Sequence, residues 1–275
     1  MIKNKKNIAV LSLILSALFF GSTFIIVKDL LTQFSPINIV FMRYAIAAAL
    51  FLFTGGIPNR SSLKPGVLMG FFLWVGYVTQ TQGLLTTSTI NSGVVTGFYI
   101  VLTPIFSKII NKTKISNKSY IFSLTGFLGI FLIASNSSEQ LFGNLFTLVC
   151  ATGYALHIVM VERYIKNQNI SQLMFIQSFV GTVFCIPFVS FGEFQFSIES
   201  LIPIFFLGLV VNFSAFYLQL FGQKEIKASS AALLLSLEAI FALIIGISYA
   251  GEILTLLNWA GVLLVLLSIY LVIKE

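Results

Sequence analysis

The sequence predicts an all-α integral membrane protein of ten transmembrane helices, arranged as two inverted five-helix repeats. Three observations predict it. Of the 275 residues, 57% are hydrophobic and only 9% are charged. A soluble domain carries about 25% charged residues, so this chain cannot cover a water-facing surface. The apolar residues fall into ten continuous runs near the length a helix needs to cross a bilayer. Barrel strands would instead be about ten residues long and alternating. Finally, the window Ser229 to Phe241 has an echo 135 positions earlier, from Val94 to Phe106. Leu102, Ile105 and Phe106 align with Leu237, Ile240 and Phe241, and Gly126 and Leu128 fall on Gly261 and Leu263 without a gap. Thr103 stands where Glu238 stands. A half with five spans ends on the far side of the membrane, so the second half starts inverted, about a pseudo-two-fold axis in the membrane plane. The expected repeats are residues 1–137 and 138–275.

The first run, 8–27, follows a basic start that looks like a signal peptide. It is longer than an h-region and has no A-x-A site, so it reads as a span. Runs two (36–54) and three (66–86) start beside Pro36 and Pro65, where a missing N–H costs nothing. Run four (91–110) holds Pro104 well inside and is expected to kink there. Runs five and six are 119–135 and 143–161. Run seven (171–190) carries Pro187 near its end, and run eight (200–221) carries Pro203 in its first turn. Run nine is 228–249, with Glu238 at its middle. Run ten is 253–273, and Glu252 beside it suits a helix N-terminus. The four-residue spacing of Gly66 and Gly70, and of Gly93 and Gly97, suits close helix packing.

Lys and Arg set the orientation. With the N-terminus in the cytoplasm, fourteen of the sixteen lie in inside segments, Lys28 alone lies outside, and Arg43 lies within a span. Both termini are therefore expected inside, in a plasma membrane protein. The same distribution argues against nucleic acid as a partner despite a net charge of +7: the basic residues sit in short loops, not on one face. Cys150 and Cys185 lie in apolar runs and form no metal motif. One histidine rules out a multi-histidine metal site.

Several side chains within the runs could do chemistry. A charged carboxylate at mid-membrane costs about 2.5–3.5 kcal/mol or more, so such groups usually face a cavity or a partner. Glu238 reads as a proton-carrying carboxylate or a counter-charge to an ammonium, against a permanently neutral hydrogen-bonding group. Arg43 could bind a substrate carboxylate as a bidentate partner. Alternatively it snorkels outward or caps backbone carbonyls, pairing with Asp29 or another acid. Trp74, Tyr77 and Gln80 recur every three residues and share a stripe, with Gln82 off it. Tyr99 and Thr103 are one turn apart; Tyr154 and His157 are three apart; Asn212 and Gln219 lie further on. Together they suggest a polar-aromatic lining for an amphipathic solute. For each one taken singly, an interhelical hydrogen bond is the bland alternative, and His157 is expected to be a satisfied packing residue.

A resemblance joins these readings. Phe20-Gly21-Ser22, then Ser35-Pro36, then Arg43, resembles the start of the EamA family within the drug/metabolite transporter superfamily. Leu237-Glu238-Ala239-Ile240-Phe241, Gly251-Glu252 and Gly261 resemble its second half. The chain departs from the family pattern at Phe20, usually Trp, and at Ala239, usually Pro. Ser116-Asn117 stands where a second Gly-Glu would be. The resemblance implies ten helices in two inverted repeats around a central cavity. It also implies movement of small metabolites such as amino acids, often by export.

The function expected is therefore a secondary transporter of a small organic solute, working by alternating access without a cofactor. An integral membrane enzyme would need nucleophile, base or metal ligands clustered at one face. A channel would need rings of like groups. No P-loop is present, so ATP is not the direct energy source. The expected partners are the solute and the lipid bilayer, with a proton as candidate coupling ion and a second copy of the chain as candidate dimer partner.

Overall fold

The structure is a computed structural model that describes residues 2–114, 116–134, 141–250 and 255–273. The described residues are mostly helical and contain no strand. The order is α1 (Ile2–Leu30), α2 (Pro36–Gly55), α3 (Arg60–Gly83), α4 (Thr89–Thr96), α5 (Tyr99–Ile110), α6 (Asn117–Ala134), α7 (Leu141–Tyr164) and α8 (Ile170–Cys185). Then come α9 (Ile198–Phe205), a π-helical stretch (Phe206–Ala215), α10 (Phe216–Gln223), α11 (Ala228–Leu235), α12 (Leu237–Ala250) and α13 (Leu256–Ile273). Glu252 and Gly251 lie outside the described residues.

Seven of the described helical stretches are long and apolar enough to cross a membrane: Lys5–Leu30, Pro36–Gly55, Thr89–Ile110, Phe142–Asn167, Ile170–Phe188, Ile198–Gln223 and Ala228–Tyr249. Tyr120–Gly129 and Leu256–Ser268 are shorter apolar helices. The 24-residue α3 falls outside both groups. It carries Arg60 and Lys64 in its first turns and the polar run Thr79 to Gln82 near its end. Large side chains such as Phe131, Phe146, Phe179 and Leu263 are exposed, as the flank of a bundle in hydrocarbon would be.

The proline expectations hold only in part. α2 starts at Pro36, with Ser35 at the N-cap position but making no side-chain capping bond. α3 starts at Arg60, five residues before Pro65, which lies inside it. A proline inside a helix frees the carbonyl four residues back; here that carbonyl belongs to Ser61, and Gln168 Nε2 reaches it at 3.5 Å. Pro104 likewise frees the carbonyl of Ile100, and the Ser123 hydroxyl donates to it at 3.3 Å. The break in run four lies upstream of Pro104, at Gly97 and Phe98 between α4 and α5. Run nine is broken too, at Ser236 between α11 and α12. Run eight opens into wide turns over Phe206–Ala215. Run seven ends at Cys185, two residues before Pro187.

Three helix pairs run antiparallel. In α2 and α8, Asn38 meets Ser190, Tyr44 meets Gly181 and Gly55 meets Ser171. In α6 and α13, Phe122 accepts from Ser268 while Gly129 lies against Gly261. In the broken helices, α4 packs on α12 and α5 on α11. Each pair joins a helix of the first half of the chain to one of the second half. The polar links repeat the pattern. Asn38, at the start of α2, donates to the Ser190 carbonyl and to Glu193 Oε2 at 3.0 Å, beyond α8. Gln172, at the start of α8, accepts from Asn59 N–H at 3.3 Å, beyond α2. Gly66 and Gly70 let α3 close on Ile176 and Gln177 of α8. Gly126 faces Ser268, and Gly129 faces the Gly261 carbonyl.

Candidate functional site

Each end of the bundle is tied by polar links. At the end where α3 begins, Glu162 at the foot of α7 accepts from the Ser107 hydroxyl (2.9 Å), Asn111 Nδ2 (2.8 Å) and Ala228 N–H (3.1 Å). One carboxylate thus holds the end of α5 and the start of α11. Where α3 ends, the Lys28 ammonium donates to the carbonyls of Leu84 and Thr87, in the loop before α4.

Between these ends lies a partly open cavity of about 430 Å³, open solvent included. α1 contributes Phe20, Thr23 and Phe24; α3 contributes Tyr77 and Gln80; α5 contributes Tyr99. The opposite wall is Tyr154, His157 and Ile158 of α7, Phe216 and Gln219 of α10, and Leu235 and Glu238 at the α11–α12 break. Glu238 is 4% exposed and sits in the first turn of α12. A helix break in a bilayer is tolerated where it lines a cavity, and a helix N-terminus favours negative charge. The Tyr99 hydroxyl and the Glu238 carboxylate point at one another, near hydrogen-bonding reach. Neither Glu238 Oε1 nor the Tyr99 hydroxyl meets a partner in hydrogen-bond geometry, although both are buried. Buried polar groups are almost always paired, so two orphans facing one cavity suggest a place for a ligand or water.

The two broken helices can also be matched by their starts. α4 starts at Thr89 and α11 at Ala228, so Tyr99 and Glu238 are each the eleventh residue from those starts. The 135-residue offset had matched Glu238 with Thr103, whose hydroxyl returns to the Tyr99 carbonyl at 2.7 Å, outside the cavity wall.

Arg43 is 1% exposed and also stands outside the wall. Its Nε donates to Asn212 Oδ1 (2.8 Å), its Nη2 donates to the Tyr77 hydroxyl (2.9 Å), and its guanidinium lies 3.8 Å from the Tyr77 ring centroid. Tyr77 in turn donates to Asn212 Oδ1 at 3.1 Å. The cluster joins α2 and α3 to the π-helical stretch, whose wide turns carry Asn212. Neutral partners thus hold Arg43, in place of the snorkelled position or the pairing with Asp29. Lysine cannot reproduce a planar fork. Arg43→Lys should cost about 1–3 kcal/mol through the partners it leaves unpaired, seen as a lower melting temperature in detergent. An unchanged melting temperature would remove the cluster from the list of ties between these helices.

Of the residues singled out in the sequence, Glu238, Tyr99, Tyr77, Gln80 and Tyr154 line the cavity, whereas Asn212, Arg43, Thr103 and Trp74 do not. Trp74 packs on Phe184 and Phe71 instead, with ring centroids 5.4 Å and 6.4 Å away. A spacing of three residues drifts around a helix, and by Trp74 it has left the inner face. His157 lines the cavity and also meets Gln177 Oε1 at 2.7 Å. Phe20, Thr23, Phe24 and Phe216 were not singled out as lining. Phe20 and Thr23 flank Gly21, and that glycine was their one sequence signal. A Cβ at Gly21 would lie 2.6 Å from Phe241 Cβ and 2.7 Å from the Glu238 carbonyl.

The profile of the EamA-like transporter family matches residues 7–135 and 141–274. An uncharacterized transporter of Archaeoglobus fulgidus is 33% identical over 270 residues, covering 98% of this chain and 86% of its own. The uncharacterized transporter YyaM of Bacillus subtilis is 27% identical, with 92% and 89% covered. A crystal structure at 14% identity covers 95% of this chain and 94% of its own with a TM-score of 0.74, which shows a shared fold.

Proposed function

From the premise that this chain belongs to the EamA-like transporter family and is a membrane transporter, we propose that it is a secondary transporter working by alternating access. The solute is a small organic metabolite, an amino acid or a related amphipathic molecule, and the direction is export. It occupies the central cavity, and Glu238 is the group whose charge the cycle uses. The observation that carries this reading is the orphaned Glu238 oxygen facing the cavity beside the orphaned Tyr99 hydroxyl.

Ten spans in two inverted repeats, residues 1–137 and 138–275, are part of the proposal. The antiparallel counterpart helices and the matching Asn38 and Gln172 links support it. A two-fold relation of this kind gives the bundle two similar ends, either of which can open. The Glu162 links would close the cytoplasmic end, and Lys28 the outer one. Releasing one set while the other holds would expose the cavity to one side at a time. The chain's place in the plasma membrane, with both termini cytoplasmic, belongs to the same reading, as does a proton as coupling ion.

Reconstitution into proteoliposomes, with a metabolite panel and an imposed pH gradient, tests the function. Solute movement that needs the protein is expected; a panel that moves no faster than in empty vesicles contradicts it. Topology has its own test. Single cysteines at Lys112 and Glu193 should label from opposite sides, with Lys112 in the cytoplasm, and labelling from the same side would end the ten-span arrangement.

A further inference from the structure

Hydrogen-bond bookkeeping around the cavity narrows the solute. Each lining amide spends one of its two N–H groups inside the protein. Gln80 Nε2 donates to Thr96 Oγ1 at 3.2 Å, and Gln219 Nε2 donates to Gln223 Oε1 at 3.1 Å. The Thr23 hydroxyl is given to the Phe20 carbonyl, and the Tyr154 hydroxyl to Gln80 Oε1. The wall's carboxylate, Glu238, has Oε1 unpaired, the Tyr99 hydroxyl beside it can act either way, and one N–H each of Gln80 and Gln219 remains. The one cation expected to meet a carboxylate, Arg43, stands outside the wall and donates to Asn212 and Tyr77 through Nε and Nη2, with Nη1 unpaired. Around the acceptors stand aromatic rings. Phe216 lies 4.7 Å from Phe20 and 5.9 Å from Tyr77, centroid to centroid. Ring faces attract cations and pack against apolar bodies.

We infer that the cavity recognises the amine end of its solute, so that it takes a small amphipathic monoamine, an ammonium on an aromatic or apolar body, in preference to a zwitterion or a carboxylate. The inference rests on the transport role proposed for this cavity and selects, within amphipathic solutes, those without a carboxylate. An ammonium would give its N–H groups to Glu238 and Gln219. A carboxylate would find only neutral donors, the Tyr99 hydroxyl and one amide N–H each of Gln80 and Gln219, and would sit beside Glu238, its like charge.

Three molecules of one shape separate the cases: phenethylamine, phenylalanine and 3-phenylpropionate. Binding of each to the full chain in lipid nanodiscs is read by isothermal titration calorimetry. Phenethylamine is expected to bind at least ten-fold tighter than the other two. Glu238→Gln should weaken it ten-fold or more with the melting temperature kept, and Tyr99→Phe should weaken it by a smaller factor. Phenylalanine or 3-phenylpropionate binding as tightly as phenethylamine overturns the inference, as does no binding by any of the three. If phenylalanine binds best and Glu238→Gln still removes its binding, the amine preference falls and the cavity stands as the site. If phenethylamine binds and neither substitution changes its affinity, the cavity reading falls with it.

Discussion

Glu238→Gln should leave the protein folded and reduce gradient-driven transport at least ten-fold. Glutamine fills nearly the same volume and removes only the ionisation. The change takes away no hydrogen bond from Glu238 Oε1, because that atom has none. Packing around the site should therefore persist, and the melting temperature should stay close to that of the unsubstituted chain. Two roles for the carboxylate then part company. If Glu238 carries a proton between the two faces, the variant loses accumulation driven by a pH gradient but still exchanges solute for solute. If it is the counter-charge to an ammonium, the variant loses binding, and both activities fall. Transport and exchange in proteoliposomes from pH 5 to 9 distinguish the two. An unchanged rate and pH profile would make Glu238 structural.

Gly21→Ala should impair transport almost as strongly, by a different route. A Cβ at this position would meet the Cβ of Phe241 at 2.6 Å and the backbone carbonyl of Glu238 at 2.7 Å. Neither atom is the far end of a flexible side chain, so α1 and α12 would have to separate. Forcing an extra methyl into such a contact costs about 1–3 kcal/mol. The displacement falls on the turn that aims Glu238 into the cavity, and on Phe20 and Thr23 in the wall. A drop of about ten-fold or more in transport, with a lower melting temperature, is expected. Gly192 is the control: a Cβ there meets nothing within 4 Å, and Gly192→Ala should change neither quantity. Equal behaviour of the two variants would show that the contact between α1 and α12 does not matter to transport.

Much of the helical layout was legible because apolar run length is a local property. A bilayer demands such runs, and the proline at the head of α2 marks its start as expected. The helix breaks were not legible. Nothing local distinguishes Ser236 from its neighbours, and the carbonyls freed by a break find partners only in other helices. Pro104 illustrates this: its missing bond is offset by Ser123 of α6, and the break appears one to two turns upstream of it. In the site, Glu238 stood out because a carboxylate in an apolar run is costly. Arg43 stood out for the same reason, but its partners could not be read. Asn212 and Tyr77 lie 169 and 34 residues away in sequence. Phe20, Phe24 and Phe216 were hidden among 29 phenylalanines, where composition gives no means of telling wall from lipid-facing surface. Matching the broken helices by their starts pairs Glu238 with Tyr99, four residues from Thr103, the position paired with it by the offset that aligns Gly126 with Gly261.

The central claim is that one cavity opens in turn to the two faces of the membrane. A single cysteine at Thr23, in a chain with Cys150 and Cys185 replaced by alanine, tests it most directly. Thr23 lines the cavity, is 5% exposed, and its hydroxyl serves only the Phe20 carbonyl of its own helix. A membrane-impermeant thiol reagent is applied to proteoliposomes of known orientation, from outside or trapped within. The account predicts that Thr23→Cys reacts from either face. Reaction from one face only, or from neither, would contradict it.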